Sequence, residues 1–237
     1  MVVPPQFFIP HANRRAISWL MRPESRVAAG ARSGLRPFEP IGRVGDAAMK
    51  KSDLRKQLRS ARREHVEQLP ETMRGLVFRH PPRPILDRIG PDAVIGLYHA
   101  TAHEAPTANY SAHFCEHGHR VVLPRFASHD APMRFAEHTD PFGETDLEKG
   151  SFGLMQPTAD AQELTPDVLF VPLIGFAATG ERLGQGGGHY DRWLSEHPGR
   201  TAIGLAWDVQ LCEDLPTEPH DITLDAVITP TRMYGPF

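Results

Sequence analysis

The run Asp167-Val168-Leu169-Phe170-Val171-Pro172-Leu173 is apolar at consecutive positions rather than at alternate ones. A strand with one wet face alternates apolar and polar residues, so an unbroken apolar strand must be covered on both faces. Shorter runs of the same kind occur at Ala93–Tyr98, Arg120–Leu123, Thr201–Trp207 and Asp225–Thr229, with a further short strand expected at Met133–Ala136. Helical stretches lie among them: Thr107–His117, closed by Gly118, and a helix beginning at Asp191 and running to Glu196. This alternation predicts an α/β fold of three layers, α/β/α, with a mostly parallel, Rossmann-like central sheet. Ligands of such sheets bind beyond the carboxyl ends of the strands. Four post-strand segments are therefore expected to converge: 99–107, 174–191, 208 onward, and the approach to 221.

Residues 1–48 stand apart. They carry seven Arg, no Lys, and only Glu24, Glu39 and Asp46 as acids. That bias fits either an organelle-targeting segment or a disordered or non-native extension upstream of a start at Met49. Prolines at 4, 5, 10, 23, 37 and 40 favour the extension, because they interrupt a targeting helix. Residues 49–237 are then read as a single domain. From Ser52, a plausible N-cap, Leu54, Leu58, Ala61 and Val66 share one face of a helix reaching toward Pro70. Lys50, Lys56, Arg59, Arg62 and Arg63 crowd the same helix, a basic face expected to be solvated. A second short helix is expected over 71–79, ended by His80-Pro81-Pro82.

A net charge of −3 gives no support for nucleic-acid binding, and no apolar run reaches membrane-spanning length. The two cysteines, Cys115 and Cys212, lack metal or redox spacing and fit a reducing compartment, read as the cytoplasm. His99 and His103 are four apart, but they follow a strand, so a zinc site on a helix is not expected there.

The densest local signal is Gly180-Glu181-Arg182-Leu183-Gly184-Gln185-Gly186-Gly187-Gly188-His189-Tyr190-Asp191. A glycine loop leading into a helix lets backbone N–H groups approach a phosphate, and the helix start adds partial positive charge. Arg182 supplies forked donors suited to phosphate oxygens. The loop matches neither the P-loop pattern nor the dinucleotide fingerprint, and glycine content alone fits a tight turn equally well.

The order of residues is more specific. Pro172-Leu173-Ile174-Gly175-Phe176 followed by Gly180-x-Arg182-Leu183-Gly184-x-Gly186-Gly187-Gly188-x-Tyr190-Asp191-Arg192 resembles the signature of 5-formyltetrahydrofolate cyclo-ligases, also called methenyltetrahydrofolate synthetases. Further matches follow in the family's order: Lys51-Ser52-Asp53-Leu54-Arg55, Glu104-Ala105-Pro106-Thr107, Gly150-Ser151-Phe152-Gly153 with Pro157, Gly204-Leu205-Ala206-Trp207-Asp208 with Gln210, His220-Asp221, and Asp225-Ala226-Val227. Together they cover residues 50–230.

The resemblance implies ATP-dependent closure of 5-formyltetrahydrofolate, with or without a polyglutamate tail, to 5,10-methenyltetrahydrofolate, releasing ADP and phosphate. It implies Mg²⁺ as cofactor, and a monomer is expected, with neither nucleic acid nor membrane as partner. It assigns Lys51 and Arg182 to catalysis by charge neutralisation. ATP would be held by Lys51, Arg55, Arg182, Leu183, Gly184, Gln185, Gly186, Gly187, Gly188, His189, Tyr190 and Asp191. Folate would meet Arg55, Glu104 and Tyr190, with Trp207 as a further stacking candidate, and the metal would meet Asp191 and Asp221. Each has a plainer reading: Asp191 as a first-turn acid facing the helix dipole, Asp221 as a turn residue, Lys51 and Arg55 as solvated cations.

Three positions depart from the family pattern. Ala177 and Gln156 stand where carboxylates are usual, and His189 replaces a frequent Tyr. The missing carboxylates leave room for an alternative, a catalytically impaired folate- or nucleotide-binding homologue. Another ATP-dependent kinase or ligase on the same fold is a third reading.

Overall fold

The computed structural model describes residues 50–74 and 76–237, and these fall within one compact unit. The expected extension over 1–48 lies outside them. In chain order the helices α1 (Lys51–Gln68), α2 (Glu71–Arg74) and α3 (Arg83–Leu86) precede strand β1 (Ile95–Gly96). Helix α4 (Ala108–Glu116) leads to β2 (Val121–Arg125), β3 (Arg134–Glu137) and a hairpin of β4 (Leu147–Lys149) with β5 (Met155–Pro157). Then follow β6 (Val168–Pro172), β7 (Gly175–Ala177), β8 (Arg182–Leu183), α5 (His189–Glu196) and β9 (Thr201–Leu205). The chain closes with β10 (Leu211–Cys212), β11 (Ala226–Ile228) and β12 (Met233–Tyr234).

Seven strands form the central sheet in the order β12-β11-β9-β6-β1-β2-β3. The five inner strands are parallel, and β3 and β12 pair antiparallel at the edges. Strand β6 shows why its sequence is unbroken. Val168 and Phe170 enter the core on one face with Tyr110 and Phe114 of α4. Leu169 and Val171 enter the other with Trp193 and Leu194 of α5. Both faces are dry, as the apolar run required.

Strand β1 has β2 on one side and β6 on the other. Its position marks the point where strand order reverses, and the crevice there opens at the carboxyl ends of β1 and β6. A small sheet, β10-β7-β8, extends the β6 side toward that crevice.

Several expectations need correcting. Helix α1 begins at Lys51 with Lys50 as the N-cap residue, and Ser52 is exposed and makes no cap bond. The inward face of α1 carries Leu54, Leu58, Arg62 and Val66, so Arg62 belongs to the buried stripe and Ala61 only borders it. The helix expected over 71–79 is confined to Glu71–Arg74. Helix α5 begins at His189, two residues before Asp191.

Candidate functional site

The glycine loop turns between β8 and α5. Gly186 (φ 112°) and Gly188 (φ 63°) take left-handed backbone conformations that a side chain would strain. These turns let three loop carbonyls meet guanidinium groups. Arg55 Nε donates to the Gly184 carbonyl at 2.9 Å, Arg59 Nη2 to that of Gln185 at 3.1 Å, and Arg192 Nη2 to that of Gly187 at 2.8 Å. With its acceptors neutralised by cations, the loop no longer repels an approaching anion.

Beneath the loop lies Arg182, whose side chain is only 3% exposed. Its Nη2 donates to Asp191 Oδ1 at 2.7 Å and its Nη1 to the Ile222 carbonyl. The same Asp191 oxygen accepts from the Ile222 N–H at 3.2 Å. Burial lowers the Arg182 pKa, and Asp191, Asp221 and Tyr190 work against that shift. One residue along, Asp221 Oδ2 accepts from Lys51 Nζ at 2.7 Å, and Glu218 lies 3.0 Å from the same ammonium. Burial opposes the Lys51 charge, but hydrogen bonds to Asp221 and Glu218 outweigh it and raise the pKa. Burial also acts against the Asp221 charge, yet Lys51 and the Glu218 N–H bring its pKa below the usual value. Glu218, His220 and Asp221 offer ligand atoms within 4.8 Å of one another.

The loop forms one wall of a cavity of about 460 Å³. Gly184, Gln185, Gly187 and Gly188 line it, and Arg182 and Asp191 reach it from below. On the opposite wall, after β1, Glu104 Oε2 accepts from the Thr101 N–H at 2.9 Å. Its Oε1 accepts from Gln185 Nε2 at 3.3 Å, so the loop and the carboxylate touch across the cavity. Tyr190 also lines the space; burial raises its phenol pKa far above the usual value, with Glu104 adding to the rise and Arg182 opposing it.

The rim is aromatic. Phe126 stands 4.9 Å from both Phe152 and His189, ring centre to ring centre, in edge-to-face contacts. Arg192 Nη2 lies 3.1 Å from His189 Nδ1, and a guanidinium can only donate, so Nδ1 accepts. Burial, Arg192 and His129 together lower the His189 pKa, which favours the neutral ring.

The arrangement brings most of the expected residues to one place. Arg182, Gly184, Gln185, Gly187, Gly188, His189, Tyr190, Asp191 and Glu104 border the cavity, whereas Gly186, in the loop itself, is not part of the lining and Lys51, Arg55 and Asp221 stand just behind the loop. Leu183 packs in the core against Leu54 and Leu58, so only its backbone belongs to the loop. Trp207 does not stack in the cavity. Its indole is buried among Phe78 and other core residues and donates to the His103 carbonyl at 3.0 Å.

Phe126 and Glu218 were not singled out by sequence, because no local pattern marks residues that meet only through the sheet edge or a distant lysine, and Phe152 entered only within the Gly150–Gly153 motif, with no site role. Gln156 was singled out, but as a lost carboxylate. It is buried and paired reciprocally with Phe126: its Oε1 accepts from the N–H at 3.1 Å and its Nε2 donates to the carbonyl at 3.3 Å. Ala177 is buried in β7 opposite Cys212.

Known proteins place this architecture. Residues 47–230 match the 5-formyltetrahydrofolate cyclo-ligase family. The chain is 37% identical over 123 residues to the 5-formyltetrahydrofolate cyclo-ligase of Escherichia coli, across 49% of this chain and 66% of that protein. It is 40% identical over 87 residues to the Haemophilus influenzae enzyme of the same name, across 34% and 46%. It therefore spans just under two thirds of the first relative and under half of the second. The NMR structure of Aquifex aeolicus 5,10-methenyltetrahydrofolate synthetase shares the fold, with a TM-score of 0.64 at 24% identity over 79% of this chain and 93% of that one. The Mycoplasma pneumoniae 5,10-methenyltetrahydrofolate synthetase does too, with a TM-score of 0.55 at 22% identity over 76% and 98%. With the family match covering every element from α1 through β11, the chain belongs to the 5-formyltetrahydrofolate cyclo-ligase family.

Proposed function

We propose that this protein closes 5-formyltetrahydrofolate to 5,10-methenyltetrahydrofolate, using ATP and releasing ADP and phosphate. The observation that carries this reading is one cavity with a cation-backed glycine loop on one wall and Glu104, Tyr190 and an aromatic rim on the others. The first wall suits a triphosphate, the second a flat heterocycle with polar edges.

The substrate chemistry explains why both are needed. The N5-formyl group is an amide, so its carbon is a poor electrophile and its oxygen a poor leaving group. Attack of the formyl oxygen on the γ-phosphorus expels ADP and leaves an iminium-like carbon. N10 then adds to that carbon, its proton is lost, and the C–O bond breaks to release phosphate. Ring geometry holds N10 close, so the second step carries little further entropic cost. The protein aligns the two substrates, neutralises phosphate charge and keeps water out; no side-chain nucleophile is required. Arg182 stands under the loop as a fixed cation, and Lys51 and Arg55 approach it from α1.

The acidic groups fit a hard divalent cation. Glu218, His220 and Asp221 offer ligand atoms within 4.8 Å of one another beside Lys51, and Asp191 offers a further carboxylate paired with Arg182. Mg²⁺ bound there would supply charge neutralisation of the triphosphate. The Gln156 amide satisfies both backbone groups of Phe126, so its lost carboxylate is a structural exchange.

The test is direct. Purified protein with 5-formyltetrahydrofolate and Mg-ATP should produce the methenyl absorbance, one ADP per product. Folded protein that binds both ligands by calorimetry but yields no product would instead establish the impaired binding homologue.

A further inference from the structure

Arg62 lies four residues after Leu58 and four before Val66, on the inward face of α1. Its side chain and that of Glu104 are each only 9% exposed. Burial lowers the Arg62 pKa, against the attraction of Glu104 and Tyr98, with Arg59 adding repulsion. The guanidinium is incompletely satisfied. Its Nη1 donates to the Leu173 carbonyl at 3.4 Å and lies 3.9 Å from Glu104 Oε1, while Nε has no partner. Withdrawing such a group from water is costly, and a methionine of similar length would fill the space without that penalty.

Its placement shows what the charge can do. Leu173 follows β6 directly, and Glu104 follows β1, so Arg62 ties together the two strand exits that flank the crevice. It is absent from the cavity lining, whereas Glu104 is part of it. The other donors to Glu104, the Thr101 N–H and the Gln185 amide, are neutral. Arg62 adds a cation on the side away from the cavity.

We propose that Arg62 is a positioning residue: from behind the wall it holds the Glu104 carboxylate toward the folate ring, setting folate affinity without touching either substrate. This inference rests on the proposed function. It assigns a role in folate binding to a helix on which Lys51, Arg55 and Arg59 serve the loop or its flanking acids.

The experiment measures binding of 5-formyltetrahydrofolate and of Mg-ATP, separately, to wild type, Arg62→Met and Arg62→Lys by calorimetry. Wild-type protein that does not bind the folate refutes the functional reading before any variant is considered. With wild-type binding established, Arg62→Met should weaken the folate about tenfold, the loss of one charge-assisted contact. Mg-ATP binding should stay within about twofold, and Arg62→Lys, which keeps the charge but not the fork, should fall between. Unchanged folate binding in a folded Arg62→Met, or equal weakening of both ligands, overturns the inference. If Arg62→Met lacks a cooperative melt, Arg62→Lys decides: folate-selective weakening of about threefold supports the role, and equal or no weakening overturns it. If neither variant folds, Arg62 serves the core alone and the inference falls.

Discussion

Replacing Arg182 by Met tests whether this residue is both a strut and a phosphate partner. Its side chain is 3% exposed and is paired with Asp191, which is 21% exposed, and with the Ile222 carbonyl. Removing the guanidinium leaves a half-buried carboxylate and a backbone acceptor without their donor. Breaking a buried pair by removing one partner costs about 3–5 kcal/mol, and the partial exposure of Asp191 places this case near the low end, about 3 kcal/mol. For a chain of this size each kcal/mol moves Tm by about 2–4 °C, so Arg182→Met should melt about 6–12 °C below wild type. Adding Asp191→Asn removes the stranded charge, and the double variant should recover about 1 kcal/mol or more of the loss. Thermal denaturation followed by circular dichroism measures all three proteins. In the activity assay, Arg182→Met should lose about 10²–10³-fold in kcat, as expected for one preorganised donor to developing charge. A Tm within about 2 °C of wild type would refute the strut argument. A double variant no more stable than Arg182→Met would show that Asp191 was never left in deficit.

Three further perturbations probe the same neighbourhood. Gly186→Ala has room for its Cβ, 3.7 Å from the Arg55 guanidinium carbon, so the penalty is in the backbone at φ 112°. It should cost about 1–2 kcal/mol in a melt and raise the KM for ATP more than that for folate. The Lys51–Asp221 link gives a pH signature. The raised Lys51 pKa contributes stability that is fully present below its unfolded value of 10.5 and is lost as pH rises through the higher folded value. The lowered Asp221 pKa contributes stability above 3.8, lost as pH falls through its folded value. Lys51→Met should therefore flatten the alkaline decline of Tm above pH 10 or so, and a decline as steep as wild type would count against the pairing. Gln156→Glu removes the donor to the Phe126 carbonyl and buries a carboxylate; a loss of about 2 kcal/mol is expected at pH 7, shrinking toward pH 5 as protonation restores an O–H.

What could be read from the chain depended on the range of the interaction responsible. Strand β6 was legible because two dry faces leave a local mark, an unbroken apolar run. Helix α4 was legible because Gly118, at φ 83°, ends it with a residue suited to that backbone. The start of α1 was misread for the opposite reason. Ser52 has the right chemistry for a cap, yet Lys51 pairs with Asp221, 170 residues away, and the N-cap falls at Lys50, two residues earlier than the local signals suggest. Likewise, Trp207 looked available for stacking, but its indole N–H has a partner in the His103 carbonyl and its ring completes the core.

The site was legible by order and illegible by geometry. Arg182, Glu104, Tyr190 and Asp191 were named from their sequence context, but nothing local shows that Gln185 bridges to Glu104. Arg62 is the instructive case. Its spacing from Leu58 and Val66 already put it on the inward face, while its charge, beside four neighbouring cations, argued for solvent. Periodicity proved the stronger signal because an arginine can be buried when a carboxylate from another segment meets it, here Glu104. Gln156 shows the converse. Counting charges registers only what the residue lacks, a second oxygen that binds cations. The folded chain uses what the amide has in its place, a donor aimed at the Phe126 carbonyl, and a carboxylate cannot make that bond.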